Sequence, residues 1–171
     1  LSHLWENIVS DELDSTLQPF SAIVLAADRT NKDPITRHTS AACKAFAPVG
    51  GLPMVIRVLD ALAACNQIST IILCGPPAEL HAQCTELQQR IATGRIIWLP
   101  NLDSPSRSAD SCLDQIPDNM PVLLTTADHA LLTPDIVQNF LRRSSASSAD
   151  ATVGAIEQHR IAAAFPHSKR T

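Results

Sequence analysis

Apolar residues along this chain fall into two patterns, short unbroken runs and longer stripes spaced three and four apart. The short runs at 22–27, 70–74, 96–99 and 122–127 are rich in Ile, Val and Leu and end in polar or turn residues. Runs of that length bounded by such signals predict strands. The stripe of Met54, Val55, Val58, Leu59 and Leu62 predicts a helix, and Pro53 suits its first turn. Leu80, Cys84, Leu87 and Ile91 predict one helix over 78–92. A Ser/Pro-rich loop at 101–107 precedes a helix reaching about residue 116, with Ser108 expected as its N-cap. Thr133 followed by Pro134 is a cap and first-turn proline in order, and opens a helix to about residue 143.

The remaining segments complete the outline. Residues 1–19 carry Leu4, Ile8, Leu13 and Leu17 at loose helical spacing, which reads as a leading helix or an extension ahead of a domain over 20–171. A long polar loop is expected from 28 to 43, then a short extended piece at 45–49 closed by the structural turn Gly50-Gly51. After a polar linker at 144–148, residues 151–156 and 161–165 read as two strands of a hairpin. Strands alternating with helices predict βαβ units. The expected fold is therefore α/β, with three α/β/α layers around a mainly parallel sheet that the hairpin makes mixed. Trp98 is expected within the sheet core. Periodicity says nothing about strand order.

Composition narrows the class. At 171 residues with 45% hydrophobic content, the chain has enough apolar material for one globular domain. The net charge of −4 and pI of about 5.8 argue against a general nucleic-acid binder, which normally shows a basic face. No apolar run approaches the roughly 20 residues of a membrane-spanning helix, and no signal-peptide pattern opens the sequence. The five cysteines, Cys43, Cys65, Cys74, Cys84 and Cys112, form no CxxC pair, and their number is odd. Buried thiols in a reducing cytoplasm are the expectation.

The candidate chemistry lies in three segments that follow strands. The first, 28–44, carries Arg29, Lys32, Arg37, His38 and Lys44; the second, 104–108, carries Ser104, Ser106 and Ser108. The third is the end of VLLTTADHALL, where an apolar run read as a strand buried on both faces stops at Asp128 and His129. Open α/β sheets bind ligands at the carboxyl ends of their strands. Cations beside a carboxylate there suit a phosphate-bearing ligand with a divalent metal. The same residues also have plainer readings. Asp128 can cap a turn, Lys44, Lys32 and Arg37 can be solvated, His129 can be exposed, and the serines can be loop and cap residues.

SAIVLAADR, then KAFAPVGGLPMVIRVLDAL, then LLTTADHALL, resembles the nucleotidyltransferases of glycosyltransferase-A-type fold. The chain is most similar to the molybdenum cofactor guanylyltransferase-like NTP transferases, whose fold is that of nucleotide-diphospho-sugar transferases. The resemblance covers about residues 21–166. It implies that Ala26 and Ala27 begin a phosphate loop, that Arg29 is its basic residue, and that Lys44 contacts phosphates. It further implies a nucleotide-side role for Asp28 and Ser108 and a metal-ligand role for Asp128, with Mg²⁺ as cofactor. Lys44, Asp128 and Arg29 are then the catalytic candidates. The chain departs from the family where Asp28 stands in place of the usual loop glycine, and no glycine occurs from residue 1 to 49. Family members also normally continue past the FPHSKRT at which this sequence stops, so an incomplete acceptor region is expected.

The activity implied is Mg²⁺-dependent transfer of an NMP unit from an NTP to an unidentified small-molecule acceptor, with release of pyrophosphate. The alternatives are a nucleotide-sugar-dependent glycosyltransferase of the same fold and a degenerate, non-catalytic nucleotide-binding domain. One further expectation concerns Asp28. The strands before Asp28 and Asp128 lie side by side in the resembled fold, so two carboxylates would approach and repel unless a cation sits between them. A bridging divalent ion is one resolution, and a solvent-facing Asp28 that caps the loop is the other.

Overall fold

The computed structural model describes residues 18–28 and 33–166. The expected leading helix, Arg29 and Lys32 lie outside them. Four strands form the main sheet: β1 (Phe20–Leu25), β4 (Ile68–Cys74), β5 (Ile96–Leu99) and β6 (Val122–Thr126). Their spatial order is β5-β4-β1-β6, and every pairing is parallel. Two short strands, β2 (Pro48–Val49) and β3 (Leu52–Pro53), pair antiparallel around Gly50 and Gly51. Both glycines have positive φ, +58° and +83°, as a tight two-residue hairpin turn requires.

Side chains alternate across β1 and build a core on each face. Ala22 and Val24 join Ile71 and Leu73 of β4 on one face. That face is covered by α2 (Met54–Ala63), α4 (Thr85–Ala92) and α6 (Pro134–Ser145), through residues such as Val55, Leu59, Leu62, Leu87 and Leu141. On the other face Ile23, Ile72 and Cys74 meet Cys112 of α5 (Pro105–Leu113). The three-layer α/β expectation therefore holds. All five cysteines are buried thiols.

Four expectations need correction. First, residues 28–43 are not all loop: α1 (Pro34–Thr39) lies within them, capped by the Asp33 carboxylate, which accepts the Ile35 N–H at 2.8 Å. None of its residues is buried, so it has no apolar stripe to betray it. Second, 78–92 is two helices, α3 (Ala78–His81) and α4. Cys84 is extended (φ −102°, ψ 96°) and buried at the break. Third, 45–49 begins as a 3-10 turn over Lys44–Phe46 before β2.

The fourth correction concerns the C-terminal hairpin. Residues 151–157 have no regular structure and Gln158–Ala164 is a helix, α7. Strand propensity is realised only against a partner strand, whereas helical hydrogen bonds are local. Ala162, Ala163 and Ala164 favour the local solution where, among the described residues, no strand pairs with this segment. Among the described residues β6 is therefore an edge strand rather than one buried on both faces, and Leu124 is 54% exposed. Trp98 also lies at the margin of the core, stacked on His81 with ring centroids 4.9 Å apart.

Parallel pairing brings the carboxyl ends of all four strands to one side, and backbone bonds carry the alignment past the strands themselves. Ala26 N–H donates to Cys74 O, Ala127 N–H to Leu25 O, and Gly75 N–H to Leu99 O. Gly75 has φ +79°, and a Cβ there would sit 3.3 Å from the Ala27 nitrogen. Only glycine lets the end of β4 lie this close to the turn after β1.

Candidate active site

Asp128 stands two residues past the end of β6. Because Ala127 continues the pairing with β1, the Asp128 side chain emerges beside the Ala26-Ala27-Asp28 turn rather than in a free loop. The Thr126 hydroxyl donates to Asp128 Oδ1. Asp128 Oδ2 accepts the Lys44 Nζ at 2.6 Å, an ion pair between segments 84 residues apart in sequence. Burial raises the pKa of this carboxyl, but the hydrogen bonds from Lys44 and Thr126 and the charge of Lys44 outweigh it. The net effect is a pKa below the ordinary carboxylate value, so Asp128 is held ionised.

Asp28 answers the question of the missing glycine. Both of its carboxylate oxygens lie within reach of the Lys44 backbone N–H, at 3.2 and 3.0 Å. The loop is thus closed on itself: its first residue binds the backbone of its last. Asp28 and Asp128 grip Lys44 from opposite ends, one at the backbone nitrogen and one at the ammonium. Asp28 thus caps the loop, as one of the two expectations had it, but through the Lys44 backbone and not facing solvent.

A cavity of about 530 Å³ opens at this point, lined among others by Ala26, Ala27, Asp28, Lys44, Thr126, Asp128 and His129. A second, of about 350 Å³, shares Ala26, Ala27 and Asp28 with it and extends to Arg37, Pro76, Pro77, Leu80 and Asn101. Together they form one cleft across the ends of β1, β4 and β6. His129 is aligned by Thr125, whose hydroxyl lies 2.9 Å from Nδ1. Burial pushes the thiol of Cys43, next to Lys44, up to about 11, which disfavours the thiolate.

The structure brings together Ala26, Ala27, Asp28, Lys44 and Asp128, five of the residues singled out from sequence. Ser108 is a correction. The N-cap of α5 is Ser104, whose hydroxyl accepts the Arg107 N–H at 3.2 Å with Pro105 following it. Ser108 is buried inside the helix, and its hydroxyl accepts the Leu102 N–H at 2.9 Å. It shapes the loop after β5 but does not line the cleft. The Ser-Pro pair at 104–105 was the available signal, of the same kind as Thr133-Pro134.

Sequence reasoning missed Thr126, Thr125 and Arg57. The two threonines were visible as TT just before ADH, where hydroxyls can orient the acid and the histidine. Arg57 had no signal. From α2 it donates through Nε to Ala130 O at 3.0 Å and through Nη1 to Val49 O at 3.4 Å. One guanidinium thereby ties the turn after Asp128 to the β2–β3 hairpin that follows Lys44.

The profile of the MobA-like NTP transferase domain matches residues 22–170. A comparison with curated proteins finds no match. Among solved structures, a hypothetical transferase from Thermus thermophilus is similar at 26% identity and a TM-score of 0.59, over 91% of this chain and 58% of that one. The 4-diphosphocytidyl-2C-methyl-D-erythritol synthase of Anaerococcus prevotii shares 16% identity and a TM-score of 0.57, over 83% of this chain and 60% of that one. A CMP:2-keto-3-deoxy-manno-octonic acid synthetase complexed with CTP shares 11% identity at a TM-score of 0.54, over 76% and 49%. At such identities the last two likenesses establish the fold alone. This chain spans about three fifths of the length of the first two, 58% and 60%.

Proposed function

The chain belongs to the MobA-like NTP transferase family, and from that premise we propose that it transfers the NMP unit of an NTP to a nucleophilic acceptor. The observation that carries this reading is the meeting of Lys44 and Asp128 in a cleft at the carboxyl ends of β1 and β6. An ammonium for phosphate oxygens and an ionised carboxylate beside it are the two charges that phosphoryl transfer needs placed in advance.

In this reading the triphosphate lies along Ala26, Ala27 and Asp28, with Lys44 neutralising its oxygens. The nucleoside occupies the adjoining cavity, where the Asn101 carboxamide offers a donor and an acceptor. Arg29 is the proposed second cation. An oxygen of the acceptor attacks the α-phosphorus in line, the bond to the bridging oxygen breaks, and pyrophosphate leaves with the electron pair. A phosphate acceptor enters already ionised and needs no general base. The names of the similar synthases point to sugar-like acceptors.

Mg²⁺ is the proposed cofactor, and the donor set fits it. Asp128 offers a hard, ionised oxygen with the Thr126 hydroxyl beside it. Among the described residues no three His, Cys, Asp or Glu side chains gather into a metal cage. Mg²⁺ is commonly held by one or two carboxylates and completed by substrate phosphates and water. When bound, the ion would spread the negative charge that develops on the phosphate oxygens. Among the described residues no helix is long and apolar enough to cross a membrane. Buried thiols support a cytoplasmic setting.

A thermal-shift screen of NTPs and nucleotide-sugars, each with and without Mg²⁺, tests the proposal. An NTP-specific, Mg²⁺-dependent rise in melting temperature is expected. A preference for nucleotide-sugars would move the chain to glycosyl transfer, and no shift with any nucleotide would leave a degenerate domain.

A further inference from the structure

Each oxygen of the Asp128 carboxylate accepts one hydrogen bond, Oδ2 from the Lys44 ammonium and Oδ1 from the Thr126 hydroxyl. The strong ligand position on Asp128 therefore carries a cation before any metal arrives. We infer that Lys44 is the stand-in for the divalent ion on Asp128, so that the site binds free metal weakly and takes it up better together with a triphosphate, which draws the ammonium away. This rests on the nucleotidyltransferase reading and adds to it a role for Lys44 on the metal ligand before the nucleotide arrives.

Three observations support the exchange. The ion pair is only half-buried, with side chains 29% and 38% exposed, so it can open without a large penalty. Lys44 is held at its backbone by Asp28, which leaves the ammonium as the movable part while the residue stays in place. The charge of the cleft points the same way. Among the described residues of the cleft, the carboxylates of Asp28, Asp33 and Asp128 outnumber the cations of Lys44 and Arg37. Metal bound to a triphosphate lowers the negative charge it brings to those carboxylates. Lys44 on Asp128 thus weakens the hold of the apo site on free metal, and the arriving phosphates give the ammonium a new partner as the carboxylate is vacated.

The test uses Mn²⁺ alone as the probe, with its free-ion electron paramagnetic resonance signal as the readout. The proteins are the whole chain, Lys44→Ala, Lys44→Arg and the double variant Lys44→Ala/Asp128→Asn. Removing an exposed pair's competitor should tighten free Mn²⁺ binding in Lys44→Ala about twofold to fivefold. Lys44→Arg keeps the charge and should bind Mn²⁺ as weakly as the unaltered chain, while the double variant should lose the gain. Circular dichroism confirms that each variant is folded. If Lys44→Ala binds free Mn²⁺ no more tightly than the unaltered chain, the stand-in role is wrong. A parallel titration adds whichever of ATP, GTP, CTP or UTP gives the largest thermal shift. Uptake of Mn²⁺ with the nucleotide but no gain in Lys44→Ala overturns the exchange and leaves the nucleotidyltransferase reading intact. No uptake by the unaltered chain even with nucleotide overturns both.

Discussion

Replacing Asp28 with alanine removes the acceptor that closes the loop from residue 28 to 44. The Lys44 N–H, part-buried, then has no partner in place of the bonds of 3.2 and 3.0 Å it now makes to the carboxylate. A hydrogen bond to a charged group contributes about 1.5–3 kcal/mol. The site is only partly shielded from water, so the lower end, about 1.5 kcal/mol, is the expected loss. For a chain of this size each kcal/mol is roughly 2–4 °C, and Asp28→Ala should melt about 3–6 °C lower. Asp28→Asn keeps one acceptor oxygen and should lose about half as much. Differential scanning calorimetry reads the melting temperature, and amide hydrogen exchange at Lys44 reports whether the loop has opened. An alternative view holds that Asp28 merely repels phosphate, so that Asp28→Gly would improve nucleotide binding at no cost in stability. If Asp28→Ala melts with the unaltered chain and the Lys44 amide exchanges no faster, loop closure by Asp28 is refuted.

Three other outcomes are expected. Gly75→Ala forces an L-residue to φ +79° and puts a Cβ 3.3 Å from the Ala27 nitrogen; it should lose about 1–3 kcal/mol in urea unfolding, and an unchanged midpoint would contradict the close approach. Lys44→Ala should weaken NTP binding roughly tenfold or more while leaving nucleoside binding unchanged, because only phosphates lose a charge-assisted partner; equal weakening of both in calorimetric titration would count against the phosphate contact. The folded-state pKa of Asp128 is depressed, so its stabilising contribution is present above the ordinary value of 3.8 and is lost as pH falls through the lower folded value. The melting-temperature gap between the unaltered chain and Asp128→Asn should therefore be constant at neutral and mildly acid pH and close only below that range. A gap that closes near neutrality would contradict the sign.

Much of the sheet was legible because its strands are continuous apolar runs. The expected 96–99 coincides with β5, and 122–127 and 22–27 lie within two residues of β6 and β1. Thr133 caps α6 as its pairing with Pro134 announced. The exposed helix α1 was hidden because it buries nothing, although Asp33-Pro34 carries the same cap signal. Residues 151–164 misled because their apolar content says that a partner is wanted, not which structure forms where no described strand pairs with them. In the cleft, Lys44 and Asp128 were readable as residue types after strands. Their contact was not, because it depends on β6 lying beside β1, and strand order leaves no trace in periodicity. Asp28 was read as a defect in a glycine loop, since a side chain bonded to a backbone N–H 16 residues away has no sequence signature.

The most direct test of the central claim is a pair of calorimetric titrations. The best-binding NTP is titrated with Mg²⁺ into the unaltered chain and into Asp128→Asn. If Lys44 and Asp128 form a phosphate and metal site, the unaltered chain binds the NTP in a Mg²⁺-dependent manner, and Asp128→Asn loses that dependence while keeping its fold. Equal, Mg²⁺-dependent binding by both proteins would contradict the assignment of Asp128, and with it the account of the cleft.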